Sequence, residues 1–153
     1  MARARQGSAT LVQTHVASAV AVATALLAQR NSDNSLILIH TSVLDSKTSF
    51  ICLGRHGLRF TSDTHEPIGH SIPYLGGVPY HPNCRSSFQT GLRNGGPIPD
   101  ANVSAWLRRQ STARQDEILG PTRAQMFRDG RLTARQLLES VTGRPLTLEE
   151  LDG

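Results

Sequence analysis

The segment that most limits the folds open to this chain lies near its N-terminus. From Ala9 to about Gln29 the residues fit one helix, with Ser8 placed to cap it. Leu11, His15, Val22, Leu26 and Gln29 fall near one face, and Ala17, Ala21, Ala25 and Ala28 form a small-residue side that permits close packing. Apolar residues run nearly all round, so the helix needs cover from other elements or from another chain. Arg3 and Arg5 precede its most apolar part, Val16 to Ala28, which superficially resembles a secretory signal. Ser18 and Thr24 interrupt that stretch, and its thirteen residues fall short of the roughly 20 that span a bilayer. The segment therefore reads as a covered soluble helix with no membrane partner. Residues 1–8 read as a loose basic arm.

Beyond the RNSDNS break, Leu36–Val43 reads as a strand, being rich in Ile, Leu and Val between turn residues. Ser49–Leu53 and Leu58–Thr61 are shorter strand candidates, joined by the glycine-flanked GRHG as a hairpin. Residues 62–80 form a long loop rich in Gly, Pro, His and Ser. Residues 91–100, with three Gly and two Pro, are the best linker in the chain. The last third is helical. Asp100 caps a first helix, a short segment follows at Gln115–Leu119, and Pro121 opens a helix that stops at Gly130. Thr133 with Gln136, and Thr147 with Glu150, have capping-box spacing, the first for a helix through Val141. The expected class is α+β: an N-terminal helix, a small antiparallel sheet with a long Gly/Pro/His loop, and a C-terminal bundle of short helices. The expected organisation is an arm (1–8), a core (9–90), a linker (91–100) and a helical region (101–153).

The chain's 153 residues suffice to bury a core without disulfides. Its composition excludes a collagen, a coiled coil and a disulfide scaffold. The net charge is +4, and every basic residue except Lys47 is Arg, the side chain suited to bidentate phosphate and carboxylate contacts. Arg3, Arg5, Arg108, Arg109, Arg114, Arg128 and Arg131 are the candidates for contact with nucleic acid or an acidic partner. Residues 101–153 carry eight basic and seven acidic residues, which argues against a DNA-binding regulator built on those helices. Phosphate-loop, dinucleotide and serine-elbow motifs are missing.

The informative constellation is Asp45, Thr48, Cys52, His81, Cys84 and Arg85. Cys84 follows His81 by three residues across a Pro-Asn turn, a spacing that lets a thiolate and an imidazole face one ion. A hairpin would bring Cys52 close, and such a donor set suits zinc. His70, His65, His56 or a water could supply a fourth ligand. Two other outcomes stay open: a Cys52–Cys84 disulfide, or two free thiols in a polar cluster where Asp45 pairs with Arg85 and accepts from Thr48. His15 and His40 read as satisfied packing residues.

These same residues carry a resemblance. VLDSKTSFIC, a glycine-centred turn, a Pro/Gly loop and PYHPNCRSSF are similar to the phage Mu F-like minor head protein family, also called the phage head-morphogenesis domain. Its pattern of Leu-Asp-x-Arg-Thr, a Cys or His four residues after the Thr, and a later His-Pro-Asn-Cys-Arg corresponds here to Leu44, Asp45, Thr48, Cys52 and His81 to Arg85. Lys47 stands where Arg is usual. The tail from Ala105 to Leu138 is similar too. Many members carry His at the position of Cys52 and Cys at that of Ser86, an alternation expected of a structural zinc ligand.

The resemblance implies a minor structural protein of a tailed-phage head. It would be present in multiple copies near the portal, after assembly in the host cytoplasm. Its partners would be portal or major capsid protein and packaged DNA, with roles in head assembly, packaging or ejection. It implies no enzyme activity. A zinc- or thiol-dependent hydrolase acting on nucleic acid or cell wall is the alternative.

Overall fold

A computed structural model describes residues 2–31 and 35–152, with the side chains of residues 2–8, 13 and 152 outside the description. The fold is α+β, as the residue patterns predict. Helix α1 spans Ala2–Arg30. It begins well before Ala9, so the expected loose arm is helical backbone; the Ala, Arg and Gln there are good helix formers. The small-residue side is the one that packs: Ala21 and Ala28 are buried against the sheet. The opposite side is open. Leu11, Val12, Val16, Val20, Val22, Leu26 and Leu27 are each at least 50% exposed. Ala9–Arg30, 22 residues, is long and apolar enough to cross a membrane, so the count of thirteen residues understates this helix.

The sheet has three antiparallel strands in the order β2-β1-β3: β1 is Leu36–Thr41, β2 is Arg59–Thr61 and β3 is Ser87–Leu92. Ile39 of β1 lies opposite Arg59 on one side and Gln89 on the other. One face of β1 carries Leu38, which joins Phe60, Phe88, Leu58, Ile72, Val78 and the two helix alanines in one cluster. Ile37 and Ile39 occupy the other face, also buried. Arg59 crosses that face to reach the Leu92 carbonyl at 3.2 Å and the Arg93 carbonyl. Gly91 packs closely against Ile39: a Cβ there would sit 2.6 Å from Ile39 Cδ1, so the isoleucine tip would have to shift.

A second core is helical. It joins α3 (Val103–Arg108), α4 (Thr112–Leu119) and α5 (Pro121–Arg128) to Leu53 of α2, Phe50–Arg55. Several expectations change here. Ser49–Leu53 is not a strand: Ser49 caps α2 by accepting from the Cys52 N–H, and GRHG is the end of that helix and the turn into β2. An uninterrupted apolar run fits either state, and the cap decides it. The Thr133–Gln136 capping box forms, but it starts only a 3₁₀ turn, Arg135–Leu137. Leu137 enters the helical core while Leu138 enters the sheet core, so the chain opens there and bridges to Pro145. Gly54 makes room for this junction, since a Cβ would fall 2.6 Å from Leu138 Cγ. The Thr147–Glu150 box is realised at the start of α6, Leu148–Asp152. The first helix of this region is capped by Asn102 rather than Asp100. Strand β3 is an element the patterns do not announce. Its first four residues precede the stretch read as linker, and its last two fall within it.

Two buried polar residues shape the sheet core. Arg55, with no exposed surface, donates to the Pro73 carbonyl at 3.0 Å and the Gly143 carbonyl at 3.4 Å, and lies 5.3 Å from the Tyr80 ring centre. It thereby ties α2 to the long loop and to the C-terminal turn. His40 is packed between Tyr80 and Phe88, but it is not satisfied: both ring nitrogens lack a hydrogen-bond partner. Burial, with Arg55 nearby, lowers its pKa from 6.5 to about 3. The unfolded chain therefore binds the proton more readily. The stability tied to neutral His40 is complete above pH 6.5 and is lost as pH falls toward 3. Denaturant titrations across this range will show a slope approaching about 1.4 kcal/mol per pH unit from this group. His40→Leu will flatten the slope and keep or raise stability at pH 7, because it removes two unpaired buried nitrogens.

Candidate metal centre

Two turns far apart in sequence build the site. The first is Asp45–Thr48. Its backbone closes by the Thr48 N–H donating to the Asp45 carbonyl at 3.2 Å, and the Lys47 N–H donates to the Asp45 carboxylate at 2.9 Å. The Thr48 hydroxyl also bonds the Val43 carbonyl. This turn leads straight to the Ser49 cap, which sets Cys52 in the first turn of α2. The second is His81–Arg85. Pro82 fixes one central position and Asn83 takes a positive φ of 60°, so the Cys84 N–H reaches the His81 carbonyl at 3.1 Å. His81 and Cys84 thus come to one side, as their spacing predicts.

An ion pair holds the turns together. Arg85 donates from Nη1 to Asp45 Oδ2 at 2.7 Å and from Nη2 to Oδ1 at 2.5 Å. The pair is about one-third exposed on each side. The guanidinium, with the Lys47 N–H and the Thr48 hydroxyl, holds the Asp45 carboxyl well below the usual carboxylate range.

Beside this clamp, Cys52, His81 and Cys84 present one ligand atom each, all within 4.8 Å of one another, and could hold a metal ion. Cys52 Sγ is 3.7 Å from Cys84 Sγ and 3.2 Å from His81 Nε2. His81 Nδ1 faces the Pro82 carbonyl at 2.9 Å. With Nδ1 donating there, Nε2 turns its lone pair to the sulfurs, an outer-shell arrangement common at metal-bound histidines. Both sulfurs are buried and His81 is half-buried. Contact with Cys52 and with backbone N–H groups lowers the Cys84 pKa to about 4, while contact with Cys84 and burial raise that of Cys52. An ion 2.3 Å from each sulfur in tetrahedral geometry sets the two about 3.8 Å apart, close to what is observed.

The fourth position is not one of the expected histidines. His70 Nε2 sits 2.9 Å from the Arg59 carbonyl and the ring meets Phe60 edge-on. Burial lowers its pKa there. This corrects His70 as a metal ligand: its loop folds onto β2, away from His81. His56 Nδ1 accepts from the Ser42 N–H at 2.9 Å, and His65 stacks on Tyr74 at 4.3 Å. What does approach is hydroxyl. Ser49 Oγ lies 2.8 Å from His81 Nε2, and the buried Ser86 hydroxyl pairs with Ser42 at 2.9 Å while also facing both thiols. A small pocket lined by Ser49, Cys52, His81, Asn83 and Ser86 has about 10 Å³ of free space, room for one water.

The structure also locates the candidate contact arginines. Arg109 pairs with Asp100, Arg114 with Glu117 and Arg128 with Asp116, while Arg108 stacks over Phe127 at 5.6 Å. Arg131 is exposed. The side chains of Arg3 and Arg5 lie outside the described residues. Sequence reasoning misses Ser42, which donates from its hydroxyl to the Cys52 carbonyl at 2.9 Å and so supports the helix that carries the ligand. A serine after a strand carries no signal of that role.

Comparison with known proteins returns no matching family model, no significantly similar curated protein and no significantly similar solved structure.

Asp45→Asn replaces a charged bidentate clamp with a neutral one-sided contact. Urea denaturation will show a loss of about 1–3 kcal/mol. The loss will shrink at acid pH. Wild-type stability from this carboxylate is present above its unfolded pKa of 3.8 and disappears as pH falls through its lower folded value.

Proposed function

We propose that this chain is a minor structural protein of a tailed-phage head, and that a zinc ion held by Cys52, His81 and Cys84 closes its core. One observation carries the reading. The residues of the LDSKTSFIC and HPNCR motifs, on which the family resemblance rests, converge on a single cluster: Asp45, Thr48, Cys52, His81, Cys84 and Arg85. Motif residues that converge on a clamp, with buried sulfurs, have the character of a structural centre. Two thiolates and an imidazole favour zinc, and a water or a neighbouring hydroxyl would complete four-coordination. Bound there, the ion would supply a crosslink between α2 and the His81–Arg85 turn. The motif carboxylate, Asp45, is engaged by Arg85 rather than poised to activate a water. That arrangement favours structure over hydrolysis.

The open side of α1 supplies the surface for assembly. An exposed apolar strip of this length fits docking against a portal or capsid subunit. Arg109, Arg114 and Arg128 have acidic partners within the chain, so contact with packaged DNA is secondary to protein contact in this reading.

Elemental analysis of purified chain is expected to give about one zinc per molecule, and Cys84→Ser is expected to abolish it. Chelation will lower the melting temperature by several degrees, since ion binding stabilises the folded state by mass action. In purified phage particles, mass spectrometry will find the chain alongside portal protein, and Val16→Asp with Val20→Asp will remove it from particles without loss of zinc. Its absence from wild-type particles would overturn the head-protein reading.

A further inference from the structure

We propose that Cys52 and Cys84 also form a covalent closure of the same cluster, a disulfide that replaces the metal when the chain meets an oxidant. The inference rests on the proposed metal site only for the ion that is displaced. Four observations carry it. The two sulfurs are 3.7 Å apart, in contact, and a bond of about 2.05 Å needs an approach of roughly 1.7 Å. They belong to different elements, the first turn of α2 and the His81–Arg85 turn, so the bond would link the same two parts that the ion links. They are the chain's two cysteines, so no third thiol competes within the molecule. Cys84 lines an open groove beneath α1 of about 710 Å³, and Cys52 lines a small pocket with room for one water, so a small oxidant reaches the pair from the groove.

Hydrogen peroxide is an oxidant of the right size class. The Cys84 thiolate attacks one peroxide oxygen; the O–O bond breaks, an S–O bond forms, and the departing hydroxide takes a proton from solvent to become water. The Cys52 sulfur then attacks the Cys84 sulfur. The S–S bond forms, the S–O bond breaks, and the second hydroxide leaves as water with the Cys52 proton. Two sulfurs give up two electrons and the peroxide accepts both. When the ion is bound, both hydroxides take their protons from solvent. The ion departs because two of its three protein ligands are gone. The His81–Arg85 turn stays fastened to α2 in reducing surroundings by metal and in oxidising ones by the bond.

The test uses the full chain, reduced, in zinc-loaded and metal-free forms, treated with limited hydrogen peroxide. Thiols are counted under denaturing, non-reducing conditions, zinc release is followed with a chromophoric chelator, and digestion is followed by mass spectrometry. In both forms the expected result is loss of both thiols, an intact monomer lighter by two hydrogens, and a Cys52–Cys84 linked peptide. The zinc-loaded form also releases one zinc per bond formed. Persistence of both thiols, added oxygens without the linked peptide, or linkage between two chains would each overturn the proposal. If the chain takes up no zinc and the metal-free form still yields the linked peptide, the metal reading fails and this one stands. If zinc binds but no linked peptide forms, the reverse holds. The readout is on the native sequence, so it does not depend on a cysteine variant folding.

Discussion

The structure depends on the fastening of two turns separated by more than thirty residues. Asp45 and Arg85 are the fastening: a bidentate ion pair, about two-thirds shielded from water, with both carboxylate oxygens engaged. Each turn is already closed by its own backbone bond, so little freedom is lost when they meet. Next to the ion pair lie Cys52, His81 and Cys84. Their mutual distances follow from where the clamp sets α2 and the Pro-Asn turn. The clamp is thus what turns three scattered donors into one site.

Around it the fold divides its apolar residues into two cores, and α2 and the Leu137–Leu138 pair contribute to both. Leu53 and Leu137 point one way, Ile51 and Leu138 the other. Arg55 adds a polar strut from the same helix to the long loop and the C-terminal turn. This arrangement explains why a helix of only six residues is stable: its first turn is capped by Ser49, its sides are buried in two clusters, and its far end is held by Arg55. The cluster of donors therefore sits where α2 meets the His81–Arg85 turn.

Much of this was legible in the residues. The strand at Leu36–Thr41 announces itself by composition, the α5 helix by Pro121 and Gly130, and the two capping boxes by spacing. His81 and Cys84 follow from the geometry of a Pro-Asn turn. What was not legible depends on distant contacts. Ser49–Leu53 is apolar without a period, so only the cap and its surroundings make it helical. Strand β3 has one buried large side chain, Phe88, and takes its conformation from β1 beside it. The helix expected through Val141 gives way because Leu137 and Leu138 are drawn into different cores. His70 looked like a ligand because it lies in the right loop, but its imidazole finds a carbonyl of β2 first. Packing of His40 was legible from its place in the strand but its unpaired nitrogens were not, and the buried Arg55 carries no local signal, because its partners come from the long loop and the C-terminal turn.

Ligation of one metal ion by Cys52, His81 and Cys84 is read out by X-ray absorption at the zinc edge of the reconstituted, reduced chain. The expected spectrum has two sulfurs near about 2.3 Å and lighter N or O atoms near about 2.0 Å, with an imidazole scattering pattern. A shell of nitrogen and oxygen alone, or a zinc signal that survives replacement of both cysteines, would contradict it.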